Sequence, residues 1–440
     1  MNGNITVKYG DEETGIFVID NLILTASVIQ ETRKIATELP ASTLDLELDV
    51  RDYENFEFAV TKPLYIYSDT SLIQKTFITE AKKTSQYRWM VNSTDYIGMM
   101  DYLTYDGKFY YQQTFEAVME DLFSGTNIPY YIDNYTKQLT VSGQVAAGTV
   151  RSALQEICFS FGAYVTTANC DGVTVQRLSN DVSQNISTDR IMAGINVENK
   201  ETITKLSIGY SNFVSSEESI SVTKSFDNDF ITGNLGKWVT FNLDVPCEFK
   251  NRYIVGNYYS ERNATGQEGR HDLFTDFETH PHYLKAKVVE ELSDGIVEGI
   301  KTLDGGWLAF VAYPYMSVDG GVLEKQNPVD SALPIINEKS LNTLGTMTSE
   351  NAQTALDRIF DNLTVGLKID AKIIDGRNYL TYGSFKFGEK IYGFEHQNPI
   401  NIGDIVTIET PNNGIQTGFV QKATYKLFGS TKVVKSCEII

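Results

Sequence analysis

The residues with the clearest potential for metal chemistry lie in the stretch HDLFTDFETHPH, positions 271 to 282. On a β-strand, His280 and His282 would lie on the same face. Asp276 or Glu278 could then complete a set of ligands of the kind that zinc takes. Pro281 equally favours a polar surface loop, and no distant residue is marked as a further ligand. The stretch is compatible with both interpretations, and we assign no metal from it.

Catalytic patterns are missing from the sequence. It contains no G-x-S-x-G, H-E-x-x-H, phosphate-loop or dinucleotide-binding pattern. Histidine, the commonest general base, occurs four times, and adjacent carboxylates such as Glu290 and Glu291 arise by chance in an acidic chain. The four cysteines are scattered, without a C-x-x-C pair, which is typical of buried small apolar residues. We therefore predict no catalytic residue, no cofactor and no enzymatic activity.

The balance of charge limits the partners that the protein can have. Lys and Arg total 37 against 57 Asp and Glu, a net charge of −20. Nucleic-acid-binding proteins need a basic surface to displace phosphate counterions, so we expect DNA only as a passing contact, if at all. No run approaches the ~18 apolar residues of a membrane span, and the first residues lack a signal-peptide pattern. We expect synthesis in the cytoplasm and no membrane anchor.

Negative charge is concentrated near the start of the chain. Residues 1–60 carry twelve acidic and four basic side chains. Within TELPASTLDLELDV, leucines and acids alternate as Leu44, Asp45, Leu46, Glu47, Leu48 and Asp49. The three acids are candidates to line a channel, where carboxylates would repel DNA phosphates. A solvated outer face that keeps the protein soluble gives the same pattern, since alternation establishes two sides and identifies neither.

The elements that position these residues are mostly strands. Period-two alternation and turn residues predict seven strands in the first ~90 residues: Ile5–Tyr9, Ile16–Ile19, Ser27–Gln30, Thr43–Val50, Leu64–Tyr67, Leu72–Glu80 and Tyr87–Asn92. Helical spacing follows, with one helix from Thr114 to Gly125, a second from Val150 to Gly162 and a third near Ser349. The predicted fold class is mainly β with an α+β insertion.

Four stretches carry a resemblance to a known family. They are TASVIQETRKIATELPASTLDLELDV; FITEAKK with YRWMVNSTDYIGMM; GTVRSALQEICFSFGAYVTTANCDGVTV; and INIGDIVTIETPNNGIQTGFVQKATYKLFGSTKVVKSCEII. In order and spacing the chain resembles the baseplate or tail hub family of tailed bacteriophages and contractile bacteriocins. The resemblance is to the Gram-positive branch, of the type that forms the N-terminal module of tail-associated lysins. None of the four stretches is a catalytic signature.

This resemblance implies a fold and an assembly. The family's fold is two tube-like β-barrel domains plus smaller inserted domains, assembled as a homotrimer. Three chains with two barrels each would form a ring of near-sixfold symmetry, which adapts the sixfold tail tube to a threefold tip or spike around a central channel. The implied partners are other copies of the chain, the tail tube protein, the spike or tip protein and other baseplate proteins. The implied location is the tail tip of a virion or bacteriocin particle.

The expected domain organisation follows from the elements and the resemblance together. We expect a first barrel domain at 1–94, an inserted α+β domain at 95–182, and a β-rich segment at 183–260 that belongs or leads to the second barrel. A variable middle domain at 261–345 and a helix with C-terminal barrel strands at 346–440 complete the chain.

Two alternative functions stay open at this point. A tail-associated peptidoglycan hydrolase would use the region 261–282, with or without a metal. A receptor-binding tip would use the middle segment, although the sequence has no coiled-coil or β-helix repeat. The sequence also leaves open whether the particle carries DNA and whether its tail contracts.

Overall fold

A computed structural model describes most of the chain. The described residues are 5–11, 15–51, 56–68, 70–177, 181–186, 191, 195–199, 203–297, 299–326, 338–342, 349–363, 367–372, 385–387, 390–392, 400–410, 414–428 and 432–439. They form a mainly β fold of several sheets with short helices between strands, which confirms the predicted fold class. Within these ranges, no helix is long and apolar enough to cross a membrane.

The largest sheet has thirteen strands and joins the two ends of the sequence. The strand Ile23–Glu31 pairs antiparallel with Thr43–Asp49 on one side and with Gly414–Phe428 on the other. From edge to edge, eleven strands follow in the order Asn196–Asn199, Leu367–Lys372, Lys432–Ile439, Gly414–Phe428, Ile23–Glu31, Thr43–Asp49, Arg88–Thr94, Ser71–Lys83, Pro63–Ser68, Ile5–Tyr9 and Phe17–Val18. Ile405–Thr410 pairs with Gly414–Phe428 and carries Gln184–Ile186 as a parallel neighbour.

Alternating side chains explain why this sheet forms. Leu44, Leu46 and Leu48 point to one side and are almost fully buried. They pack in one cluster with residues from both ends of the chain, among them Val28 and Val420. Each such side chain stabilises the fold by roughly 2 kcal/mol through the apolar area that it removes from water.

A second core lies in the α+β region that follows. Its helices are Tyr96–Met99, Phe115–Phe123 and Val150–Ser160, and it also contains the 3₁₀ turns Met100–Tyr102 and Thr136–Gln138. A further 3₁₀ turn, Asp20–Leu22, lies beside the first sheet. The predicted ends are confirmed. The Thr114 hydroxyl accepts a hydrogen bond from the Ala117 N–H at 3.3 Å, and Gly125 and Gly162 have φ of 77° and 60°, which favour glycine after a helix.

The strands of this region pair across the sequence order. Ala163–Thr166 and Val173–Arg177 form an antiparallel hairpin, and the Asp-Gly dipeptide at positions 171 and 172, between them, favours such a turn. The strand Tyr130–Ile132 adds to it in parallel, on the side of Val173–Arg177. Two further pairs complete the region: Lys108–Thr114 with Thr140–Val145, and Thr104–Tyr105 with Gly148–Thr149.

A third core is built on one long strand, Lys301–Gln326. This strand pairs with Lys205–Ser215, Ile220–Phe226, Cys247–Glu248 and Ile254–Asn263; Glu268–His271 and Glu338–Asn342 extend the same sheet. A separate sheet contains Trp238–Asn242, Tyr283–Val288 and Phe274–His280. The helices Asn228–Gly233 and Asp294–Val297 and the hairpin Phe385–Phe387 with Lys390–Tyr392 complete the described elements, together with the predicted third helix, Ser349–Leu363.

Residues 32–42, which we call the strap, contact the first sheet, the α+β region and the helix Ser349–Leu363. The Thr32 N–H donates to the Gln421 carbonyl in the first sheet at 2.8 Å, and the Thr32 hydroxyl donates to the Val165 carbonyl at 2.6 Å. Ile35 is buried against the helix Ser349–Leu363. The strap thereby fixes the first sheet, the α+β region and this helix to one another.

Candidate functional site: an acidic sheet face and its edge

The three acids predicted to share one face do so. They lie on the strand Thr43–Asp49, on the side opposite the buried leucines. Asp45 is exposed, whereas Glu47 and Asp49 are half-buried. The predicted two-sided strand is therefore confirmed, and whether its acidic side lines a channel stays a prediction.

Two arginines neutralise part of this face, one on a neighbouring strand and one directly after the same strand. Arg88 lies 3.4 Å from the Glu47 carboxylate, and Arg51 lies 2.9 Å from that of Asp49. Such exposed ion pairs contribute little, about 0 to 1 kcal/mol. Asp45 instead lies between Ser27 and Asn92, without a basic neighbour across either strand. Partial desolvation between these strands raises the pKa of Asp45.

One edge of the same sheet is apolar. The short strand Phe17–Val18 pairs with Tyr9 and Lys8 on one side, and its other side is open among the residues that the structure describes. Val18 is 62% exposed and Ile16 is 55% exposed. Beside them, five aromatic rings make edge contacts with centroids 4.9–5.9 Å apart: Phe17, Phe56, Tyr9, Phe58 and Trp89. An open edge with exposed apolar side chains favours pairing with another chain.

The two predicted histidines lie side by side, with ring centroids 6.0 Å apart, and each has a further partner of its own. His280 stacks on Tyr283 with ring centroids 4.4 Å apart, and its Nδ1 accepts the His282 N–H at 3.3 Å. His282 turns to the α+β region, where its Nε2 accepts the Phe109 N–H at 2.8 Å. Burial lowers the pKa of both imidazoles. Both histidines therefore have structural contacts at an interface between cores.

No metal site is completed around these histidines in the described ranges. Asp276 is exposed and accepts the Thr275 hydroxyl at 3.1 Å, and Glu278 is also exposed. No three His, Cys, Asp or Glu residues come together there in a way that would hold a metal ion. His396 lies outside the described residues.

The proposed hydrolase region contains one buried carboxylate, Glu261. It is 4% exposed and accepts hydrogen bonds from Lys301 and Ser293, while His271 lies 3.2 Å away. These donors, with the Lys301 ammonium first among them, lower the pKa of Glu261 to about 2. A carboxyl that stays ionised suits an internal ion pair and not a general acid, which needs a raised pKa.

An ionisable cluster in the α+β region was missed from the sequence. The hydroxyls of Tyr105 and Tyr110 lie 2.8 Å apart, and Tyr110 donates to Asp121 at 2.8 Å. Asp121 also binds Lys108. Alternation in KFYYQQT places Lys108 and Tyr110 on the same side of a strand, but only the fold brings Asp121 to them. The polar groups are paired with one another, so the cluster is typical of a structural network.

Glu156 lies beside this cluster and should make stability depend on pH. Its Oε1 is buried without a hydrogen-bond partner, and desolvation raises its pKa from 4.5 to about 7. The folded state favours the protonated carboxyl, so ionisation of Glu156 lowers the stability of the fold. The fold has its full stability below pH 4.5 and loses part of it as the pH rises through 7. We expect Glu156→Gln to raise the free energy of unfolding by about 1 kcal/mol at pH 8, a value reduced for solvent screening.

Urea unfolding at pH 5 and pH 8 measures this effect. Glu156→Gln should stabilise the protein at pH 8 and change it little at pH 5. Glu120→Gln, on the exposed side of the helix Phe115–Phe123, is the matched control and should change neither value. Equal effects of Glu156→Gln at both pH values would contradict a titrating carboxyl at this position.

A cavity of about 240 Å³ lies between the strap and the start of the helix Val150–Ser160. Arg151 contributes to its wall, with Nε donating to the Leu39 carbonyl at 2.9 Å and with its guanidinium bound to Asp101. The cation of this cavity is therefore already engaged in holding the strap.

Comparison with known proteins identifies the fold. No protein-family model and no curated protein sequence matches the chain. The tail protein from Neisseria meningitidis MC58 superposes with a TM-score of 0.53 at 8% identity, over 100% of this chain and 96% of that one. The 43 kDa tail protein of prophage MuSo2 from Shewanella oneidensis superposes with a TM-score of 0.50 at 8% identity, over 99% and 98%.

These matches extend over nearly the whole of each chain, so they include the first sheet, the α+β region and the long-strand sheet together. At 8% identity the shared property is the fold. The chain has the fold of tail proteins, one of them from a prophage.

Proposed function

We propose that this chain is a structural protein of a phage or phage-like tail. In this proposal it forms a homotrimeric hub that adapts the sixfold tail tube to the threefold tip or spike and surrounds the central channel. The observation that carries the proposal is the match of the whole chain to the fold of two tail proteins. Assembly of this kind requires extended self-complementary surfaces and no activated side chain.

Two features of the first sheet support an assembly role. At its edge, the strand Phe17–Val18 presents exposed apolar side chains and is unpaired on one side within the described part of the chain, which is suited to contact with a neighbouring chain. Its acidic face carries Asp45, Glu47 and Asp49. In the hub these carboxylates would line the channel, where they would keep DNA from binding as it passes.

The partners follow from the same proposal. They are two further copies of the chain, the tail tube protein, the spike or tip protein and other baseplate proteins. The protein would act at the tail tip of a phage or bacteriocin particle of the Gram-positive branch. No enzymatic step is part of this role.

Light scattering of the purified protein, with cryo-EM class averages of the same sample, tests the proposal. We expect the mass of three chains, about 148 kDa from 49.3 kDa each, and a ring with sixfold appearance at one end. In the same map, Asp45, Glu47 and Asp49 should face the central channel. A monomer at every concentration would contradict the hub, and a ring with these acids on its outer rim would contradict only their role in the channel.

A further inference from the structure

Lys34 lies in the strap where the backbone is fixed on both sides. Thr32 is bound to the Val165 and Gln421 carbonyls, and the Ala36 N–H donates to the Ala163 carbonyl at 3.0 Å. Between them, Ile35 is 4% exposed and packs against the helix Ser349–Leu363. The position of Lys34 is thus determined by three parts of the fold, and its side chain is itself half-buried.

The ammonium of Lys34 has no ion-pair partner among the described residues. The adjacent Arg33 differs, because it lies 2.8 Å from Glu31 and 2.5 Å from Glu38. Burial lowers the pKa of Lys34 to about 8, because desolvation disfavours its charged form. A cation that is partly removed from water without a partner destabilises the isolated chain. An anion from another molecule that pairs with this cation would therefore stabilise the folded protein.

A single ammonium is suited to a single carboxylate. A DNA backbone would require several free cations, and the neighbouring Arg33 is already paired with two acids. A second copy of this chain supplies carboxylates in excess, since each copy carries 57 acidic residues against 37 basic ones. We propose that Lys34 is an assembly residue that receives a carboxylate from a second copy of the chain. This inference depends on the proposed homotrimer as the source of that copy.

The proposal predicts opposite effects on the free chain and on the assembly. Lys34→Met removes a desolvated charge and keeps the apolar stem, so the free chain should be as stable as wild type or more stable. The assembly loses a cross-chain pair, and its association should weaken about tenfold or more. A residue with only a structural role inside the chain would not weaken association while preserving the stability of the free chain.

The experiment measures association by sedimentation and free-chain stability by thermal unfolding. Lys34→Met should weaken association without lowering the melting temperature, and Lys34→Arg should retain association because it retains the charge. Lys82→Met, at an exposed position of the strand Ser71–Lys83, is the control and should change neither. In wild type, acetylation of the Lys34 amine should be fast in the monomer and at least tenfold slower after assembly.

Each other outcome overturns the inference. If Lys34→Met associates as strongly as wild type, the hub proposal stands but Lys34 is not part of the interface. Loss of binding to duplex DNA in Lys34→Met with unchanged self-association assigns the residue to phosphate instead. Absence of any wild-type association, at high concentration, removes the proposed homotrimer and this inference with it.

Discussion

Replacing Asp95 with alanine is expected to lower the free energy of unfolding by about 3 to 4 kcal/mol. The side chain is fully buried at the point where the first sheet passes into the α+β region. Its Oδ2 accepts the Ser42 N–H at 3.0 Å and the Thr167 hydroxyl at 2.5 Å, and its Oδ1 accepts the Gly98 N–H at 3.1 Å. Alanine would leave all three donors buried without an acceptor.

The effect should extend beyond these three donors. Thr167 also accepts from the buried Gln74 amide at 3.0 Å, and Gln74 in turn accepts from Gln30 at 3.0 Å. Urea unfolding measures the loss, and Asp276→Ala, at an exposed site, is the control that should stay within about 0.5 kcal/mol of wild type. A cost below about 1 kcal/mol for Asp95→Ala would show that water or another group replaces the carboxylate.

Replacing Leu44 with alanine is expected to cost about 2 to 5 kcal/mol, because it opens a cavity in the core of the first sheet. Leu44 has no exposed surface and lies in the cluster that unites both ends of the chain. Its neighbour Asp45 provides a matched control on the opposite face of the same strand. Asp45→Ala should stay within about 0.5 kcal/mol.

Urea unfolding combined with amide exchange of the strand Thr43–Asp49 checks this prediction. Faster exchange in Leu44→Ala should extend to Ile23–Glu31 and Arg88–Thr94, which pair with that strand. If Asp45→Ala were as damaging as Leu44→Ala, the sidedness of the strand would be wrong.

Local patterns predicted local structure well. Thr114 and Gly125 bracket the helix Phe115–Phe123 because a hydroxyl cap and a left-handed glycine are needed within a few residues of its ends. Alternation predicts the strand Thr43–Asp49 correctly because its seven residues alternate between the buried and the acidic side. The third helix, Ser349–Leu363, follows from its apolar stripe in the same way.

Long-range pairing was beyond the reach of these patterns. Periodicity indicates that Ile23–Glu31 has a buried face, yet nothing in its spacing names Gly414–Phe428 as its neighbour. The long strand Lys301–Gln326 pairs with four other strands, and no pattern in its own residues identifies any of them.

The candidate sites divide along the same line. The acidic face was found because it is a property of one strand, whereas Glu156 and Lys34 were missed because burial and missing partners exist only in three dimensions. His280 and His282 contact each other, as their spacing predicts, but their remaining partners, Tyr283 and Phe109, could be identified only from the fold.

The pairing of Ile23–Glu31 with Gly414–Phe428 can form only after nearly the whole chain has been synthesised. The two strands are about 400 residues apart, so a ribosome adding 5–20 residues per second leaves roughly 20 to 80 s between them. During that interval the early strand has no partner along one edge, while the α+β region and the long-strand sheet, encoded between them, can already fold. The edge of Ile23–Glu31 that Gly414–Phe428 covers in the folded chain is therefore open to pairing with other chains until the last strands emerge.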